Sequence, residues 1–168
     1  MDERQKARAA AWCRQGPARG EWKLARLDVI CAMDPREWPV GRIELHHRTR
    51  GHIVEIATGA GGTDAIFNAL AQHFGIDASL AGLSVRFEPE CDARLAHFAV
   101  ITDLLVGTTM YRGVAHSGDL LLSTAAAYLD ALSMAQIDRA IAKDRATGLR
   151  SACVWPRDFE VEGDRRAS

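Results

Sequence analysis

Residues 53–70 read IVEIATGAGGTDAIFNAL, an apolar strand that runs into Gly59, Gly61 and Gly62 and then directly into a helix. The apolar positions Ile53 and Ile56 alternate with polar neighbours up to Thr58. The glycines then permit turn dihedrals and a close backbone approach that other residues disfavour. Beyond them Thr63 or Asp64 caps a helix whose apolar stripe is Ile66, Ala69, Leu70 and Phe74. Unpaired first-turn amides and the helix dipole favour a carboxylate or phosphate at such an end. A tight strand-to-helix turn with no ligand reads the same way, and the motif taken singly leaves both open.

Working outward, two more strand-like segments precede this one: Trp22 to Met33, with Leu27, Val29, Cys31 and Met33 alternating, and Val40 to Arg48, with Ile43 and Leu45. The third strand, His52 to Thr58, follows the turn Thr49-Arg50-Gly51, and the helix from about Thr63 to Phe74 stops at Gly75. The order then repeats. Leu83 to Phe87, Leu95 to Val106 and Thr109 to His116 read as strands. The small-residue turn Gly113 to Gly118 leads into a helix, Asp119 to about Met134, with Ser117 or Asp119 as cap. The fold class is therefore α+β, two β-β-β-α units spanning about 21–75 and 80–134. A pseudo-twofold between them would turn both helix N-termini toward a shared centre, with Gly59 and Gly113 as matching points. Residues 1–20 read as a basic helical or frayed segment, 135–155 as a helical extension that packs on the domain or on a second chain, and 156–168 as a polar tail.

At 168 residues the chain suits one domain, too short for an added substrate-binding domain. A net charge of −1, with no basic face interleaved with aromatics, argues against nucleic acid as a partner. No apolar run reaches the roughly 18–20 residues of a membrane span and no signal peptide opens the chain, so the expectation is a cytoplasmic protein without a membrane partner. Cys13, Cys31, Cys91 and Cys153 are too scattered for a zinc site and read as reduced structural thiols. Trp12, Trp22, Trp38 and Trp155 read as core or edge packing.

Several residues together resemble the C-terminal regulatory domain of 2-isopropylmalate synthase: Gly59-Ala60-Gly61-Gly62-Thr63-Asp64-Ala65, the pair Asp92-Ala93, Tyr111-Arg112-Gly113-Val114 leading to Asp119, and Ala126-Tyr128-Leu129-Ala131-Leu132. The resemblance covers Trp22 to Met134. It implies a dimerising module of leucine biosynthesis that binds leucine or a related branched-chain compound, uses no cofactor, and inhibits a separate catalytic barrel. It thus implies a homodimer, with a 2-isopropylmalate synthase catalytic chain as a further partner, and no catalysis by this chain. Carried over position by position, Gly59, Ala60, Gly61, Gly62 and Thr63 are the first effector-facing turn. Leu83, Asp92 and Ala93 fall in the loop and strand that cover it, and Ala115 and His116 match the second turn; physically, an acidic residue such as Asp92 suits an ammonium. This sequence departs from the pattern at Gly62 in place of proline, Gly82-Leu83 in place of an aromatic, and Cys91 and Ala115 in place of glycines. The alternative is a structural module for self-association or docking that has lost its effector.

His46, His47 and His52 invite a metal, but adjacent strand residues point to opposite faces, so at most two share a side and no metal site is assigned. His116, Ser117 and Asp119 are nearly consecutive, whereas a catalytic relay converges from separate elements; helix capping is the better reading. Cys91 has no paired histidine.

Overall fold

The computed structural model describes residues 21–31, 34, 36–89 and 96–146. Strands β1 (Trp22–Ile30), β2 (Val40–His47) and β3 (Gly51–Thr58) precede α1 (Gly62–Phe74). Strands β4 (Ser79–Pro89), β5 (Ala96–Val106) and β6 (Thr109–Ser117) precede α2 (Leu120–Ala146). Each trio is an antiparallel sheet in sequence order, β1-β2-β3 and β4-β5-β6. The β-β-β-α order occurs twice, as the sequence predicts.

Alternation places one face of each sheet under a helix. In the first sheet Ile43 pairs with Leu27 and Leu45 with Leu24. Ile43, Leu45 and Leu24 are buried with Ile66 and Leu70 of α1. A bulge between Leu24 and Arg26 resets the phase of β1 so that Leu24 and Leu27 share that face. On β3 the inward residues are Ile53, Glu55 and Ala57, while Val54 and Ile56 face out; Ile53 and Ile56 are thus on opposite faces rather than one. The β2–β3 connection spans residues 48–50, and Gly51 supplies a φ of +83° where β3 begins. Gly75 ends α1 in the left-handed conformation, as expected, its amide returning to the carbonyls of Ala71 and Gln72.

Four boundaries differ from the sequence reading. β1 ends at Ile30, with Cys31 already outside the strand that the alternation extends to Met33. β4 runs four residues earlier and two later than Leu83 to Phe87, its first residues including a bulge between Leu80 and Gly82 that breaks the simple alternation. Residues 113–117 are strand rather than turn. Gly113 is there for close approach: a Cβ on it would lie 1.9 Å from the Ala127 carbonyl oxygen and 2.7 Å from the Ala131 nitrogen, so α2 rests directly on the β6 backbone. Lastly, the helix beginning at Leu120 and the segment from Ala135 to Ala146 are a single helix of 27 residues.

By length and composition α2 meets the requirement of a membrane span, and more than half of its apolar window is buried inside the fold. Its burial continues nearly all round from Ser123 to Ala135, the pattern of a core helix. Ser123, Thr124 and Ser133 interrupt the apolar run in sequence, which hides it there. In the fold their hydroxyls donate to carbonyls four residues back, at 2.8, 2.8 and 2.7 Å. α2 packs on β5 and β6, on α1 and on the edge of β1, so the main core joins Trp22, Leu24, Ile66 and Leu70 to Leu104, Tyr128 and Leu132.

Trp22 is buried, edge-on to His47 and His73 with ring centroids 4.5 and 4.4 Å away, whereas Trp38 is 66% exposed and packs little. Trp12 and Trp155, with Cys13, Cys91 and Cys153, lie outside the described residues; Cys31 is an exposed free thiol.

Candidate functional site

The junction between β3 and α1 is built by glycines that let three backbones meet. Gly59 donates to the Pro39 carbonyl at 3.1 Å. A Cβ on it would sit 2.3 Å from the Ala65 nitrogen. Gly41, inside β2, lies equally close beneath α1, its Cβ direction 2.8 Å from the Ala65 carbonyl carbon. Gly62 faces β1: a Cβ there would be 2.8 Å from Val29 Cγ1 and 3.1 Å from Cys31 Sγ. Gly61 alone of these opens onto free space, with nothing within 4 Å of a Cβ.

Gly61 is also the N-cap of α1, extended at φ −152° and ψ 170°, and offers no side-chain cap. Neither Thr63 nor Asp64 occupies that position. Asp64 instead reaches back from the first turn and accepts the Ala60 amide at 2.8 Å, while the Asn68 side chain donates to the Thr58 carbonyl at 2.9 Å. The helix end therefore carries an internal carboxylate, set against Gly59 and the Ala60 amide. Tyr128 of α2 stacks on Phe67 with centroids 4.0 Å apart and planes 10° from parallel, which ties α2 to the first turns of α1. Burial pushes the Tyr128 phenol above its ordinary range, and the Asp64 charge adds to it.

The second helix end is capped differently. Asp119 accepts the Leu122 amide at 2.9 Å, and its own amide donates to the Ser117 hydroxyl at 3.2 Å. These two residues are thus engaged in capping, as the sequence indicates. Ala115 is buried against Val100 and Ala127 under α2, in a small cluster separate from the main core. His116, one residue on, lies exposed on the opposite face of the sheet. Leu83 is on the helix side of β4, a strand that packs chiefly on β5 rather than on α1. Gly59 to Thr63 are therefore one contiguous stretch, the turn 59–61 and the first two residues of α1, while Leu83 and Ala115 lie on the helix side of the second sheet and His116 on its opposite face. Asp92 and Ala93 lie outside the described residues.

The six strands, α1, the glycine junction and α2 as far as residue 136 fall within residues 5–136, which match the family model of the LeuA allosteric (dimerisation) domain. The chain belongs to this family. No curated protein matches it. As a LeuA allosteric domain it is a regulatory rather than a catalytic part. Among the described residues no three of His, Cys, Asp and Glu group in a way that holds a metal ion. His46 and His52 pair across β2 and β3 on one face while His47 is buried on the other, so the expected split of the three histidines holds. The His47 ring is spent on the fold: Nδ1 accepts the Thr49 and Arg50 amides at 3.1 and 3.0 Å, and Nε2 meets the Glu21 carboxylate at 2.8 Å. Asp64, Tyr128 and Gly41 were not singled out as site residues from the sequence. Tyr128 belongs to the matching Ala126-Tyr128-Leu129 pattern, and Gly41 was legible as a glycine within an apolar strand.

Proposed function

We propose that this LeuA allosteric domain is the effector-sensing and self-associating part of a leucine-biosynthetic acyl-transfer system, taking leucine or a related branched-chain amino acid at the Gly59–Thr63 turn. The observation that carries the reading is the family match, which encloses the turn, both sheets, α1 and α2 as far as residue 136. The junction supports it physically. Gly61 leaves room beside the first-turn amides of α1, where a carboxylate is favoured by about 0.3–1 kcal/mol when exposed. Titration with leucine, isoleucine and valine is expected to raise the melting temperature of the domain, because a ligand that binds only the native state stabilises it by about 2.7 kcal/mol at a hundred times its Kd. Absence of a shift with all three would remove the effector while leaving the family intact.

The second reading, a docking module without effector, is favoured by one observation: the Asp64 carboxylate already occupies the Ala60 amide. Gly61→Leu separates the two, since the added side chain enters open space and the domain still folds. A sensor loses its ligand response with self-association intact; a pure scaffold has no response to lose.

A further inference from the structure

The register of the second sheet places Leu80 opposite Leu104, Leu83 opposite Thr102, Val85 opposite Val100 and Phe87 opposite Phe98. Opposed residues in an antiparallel ladder point to the same face. A bulge between Leu80 and Gly82 keeps Leu80 in phase with the other three. The β5 partners lie on the side that α2 covers, and Val100, Thr102 and Leu104 are buried. Yet Leu80, Leu83, Val85 and Phe87 are 43–54% exposed. α2 covers β5 and β6 and stops short of β4. The corresponding strand of the first unit is treated otherwise. On β1, Trp22 and Leu24 are buried and Leu27 and Val29 pack against the core. The opposite face of β4 carries Ser79, Gly82, Ser84 and Arg86. The strand thus has the composition of one whose apolar side is buried, and nothing in its own described fold buries it.

We propose that the helix-side face of β4 is the surface on which a second copy of this chain docks, β4 face against β4 face about a twofold axis. This rests on the self-association reading above and names its surface. The family is a dimerisation domain and its match spans β4. A twofold interface brings one patch onto itself, and this patch, Leu80, Leu83, Val85 and Phe87, holds no charge that would meet its own like. Leu80, Leu83, Val85 and Phe87, all on one face of one strand, are the kind of exposed apolar patch that marks an interaction site. Phe87, held edge-on to Phe98 at 5.7 Å, is the aromatic anchor. β4 is also an edge strand whose inward positions lack the charges that normally protect an edge.

The test is sedimentation equilibrium of the full chain over a concentration series. Wild type is expected to be a dimer. Leu83→Asp and Val85→Asp are expected to weaken association by at least about 100-fold, since each would desolvate a carboxylate in the interface, whereas Met110→Asp, on the opposite face of the same sheet, leaves the dimer intact. A Val85→Asp chain that folds and still dimerises overturns the assignment of the surface and leaves self-association standing; a wild type that is monomeric throughout overturns both. Hydrogen exchange of wild type covers the case in which the variants do not fold. The amides of Leu83 to Phe87 are expected to lose protection on dilution, and protection independent of concentration overturns the proposal.

Discussion

At the residue scale, glycines of similar appearance have different jobs, and the difference is measurable. Gly59→Ala forces a Cβ to 2.3 Å from the α1 backbone, and helix or strand must shift. The expected cost is about 1–3 kcal/mol by chemical denaturation. Gly61→Ala adds a Cβ in open space at an extended residue and is expected to change stability by no more than about 1 kcal/mol, the weaker N-cap being partly offset by a stiffer unfolded chain. Equal losses for the two would contradict the packing described. Tyr128 yields a pH-dependent expectation. Its folded phenol titrates above its unfolded value of about 10, from burial first and then from the Asp64 charge. Neutral tyrosine therefore contributes stability that is fully present below pH 10 and is lost as pH rises through the folded pKa. Tyr128→Phe is expected to gain on wild type between pH 9 and 11 in urea denaturation; a constant difference across that range would be inconsistent with the burial. The sequence exposes the type of each of these residues but not its neighbours. Gly113, read there as a turn, is a mid-strand contact because a glycine demanded by close approach looks the same as one demanded by dihedrals.

At the scale of elements, the alternation of β2 and the stripe of α1 were legible because one face of each is fully covered. Ile43, Leu45, Ile66 and Leu70 are all at zero exposure. β4 was harder to bound, since alternation reports which side of a strand is apolar and not what lies on it. α2 was read as two pieces because its buried stretch ends at Ala135 and residues 137–146 are exposed, so the apolar stripe stops there although the helix continues. Helix ends carry long-range contacts that sequence spacing does not predict. Arg139 of α2 donates to the Gly75 carbonyl at 3.0 Å, setting a guanidinium at the C-terminus of α1. Arg139→Ala is expected to cost about 0.3–1 kcal/mol, with a smaller loss at high salt because the contact is exposed. A loss unchanged by salt would indicate that the stem of the side chain, not its charge, matters.

At the scale of the molecule, the duplicated order was legible because each unit carries its own strands and its own glycine-bearing approach to a helix. What holds the copies together was not, because it lies in cross-unit pairs such as Phe67 with Tyr128 and Trp22 with the face of α2. The site residues divide similarly: Gly59 to Thr63 are contiguous and were readable as a turn, whereas the relation of Leu83, Ala115 and His116 to it depends on how one sheet stands against the other.

One consequence of α2 running unbroken through the main core concerns what happens if the chain is cut. A repeat protein assembled from self-sufficient modules can be divided between them and each half survives. Here residues 21–75 lack the Tyr128, Leu129 and Leu132 that close their core, and residues 79–146 keep a helix with an apolar side and no α1 to meet it. The two pieces, made separately, are expected to show little cooperative melting alone and to recover it on mixing, measured by circular dichroism. Independent folding of either piece would mean that the shared helix is dispensable, and with it any mechanical link between one end of the domain and the other.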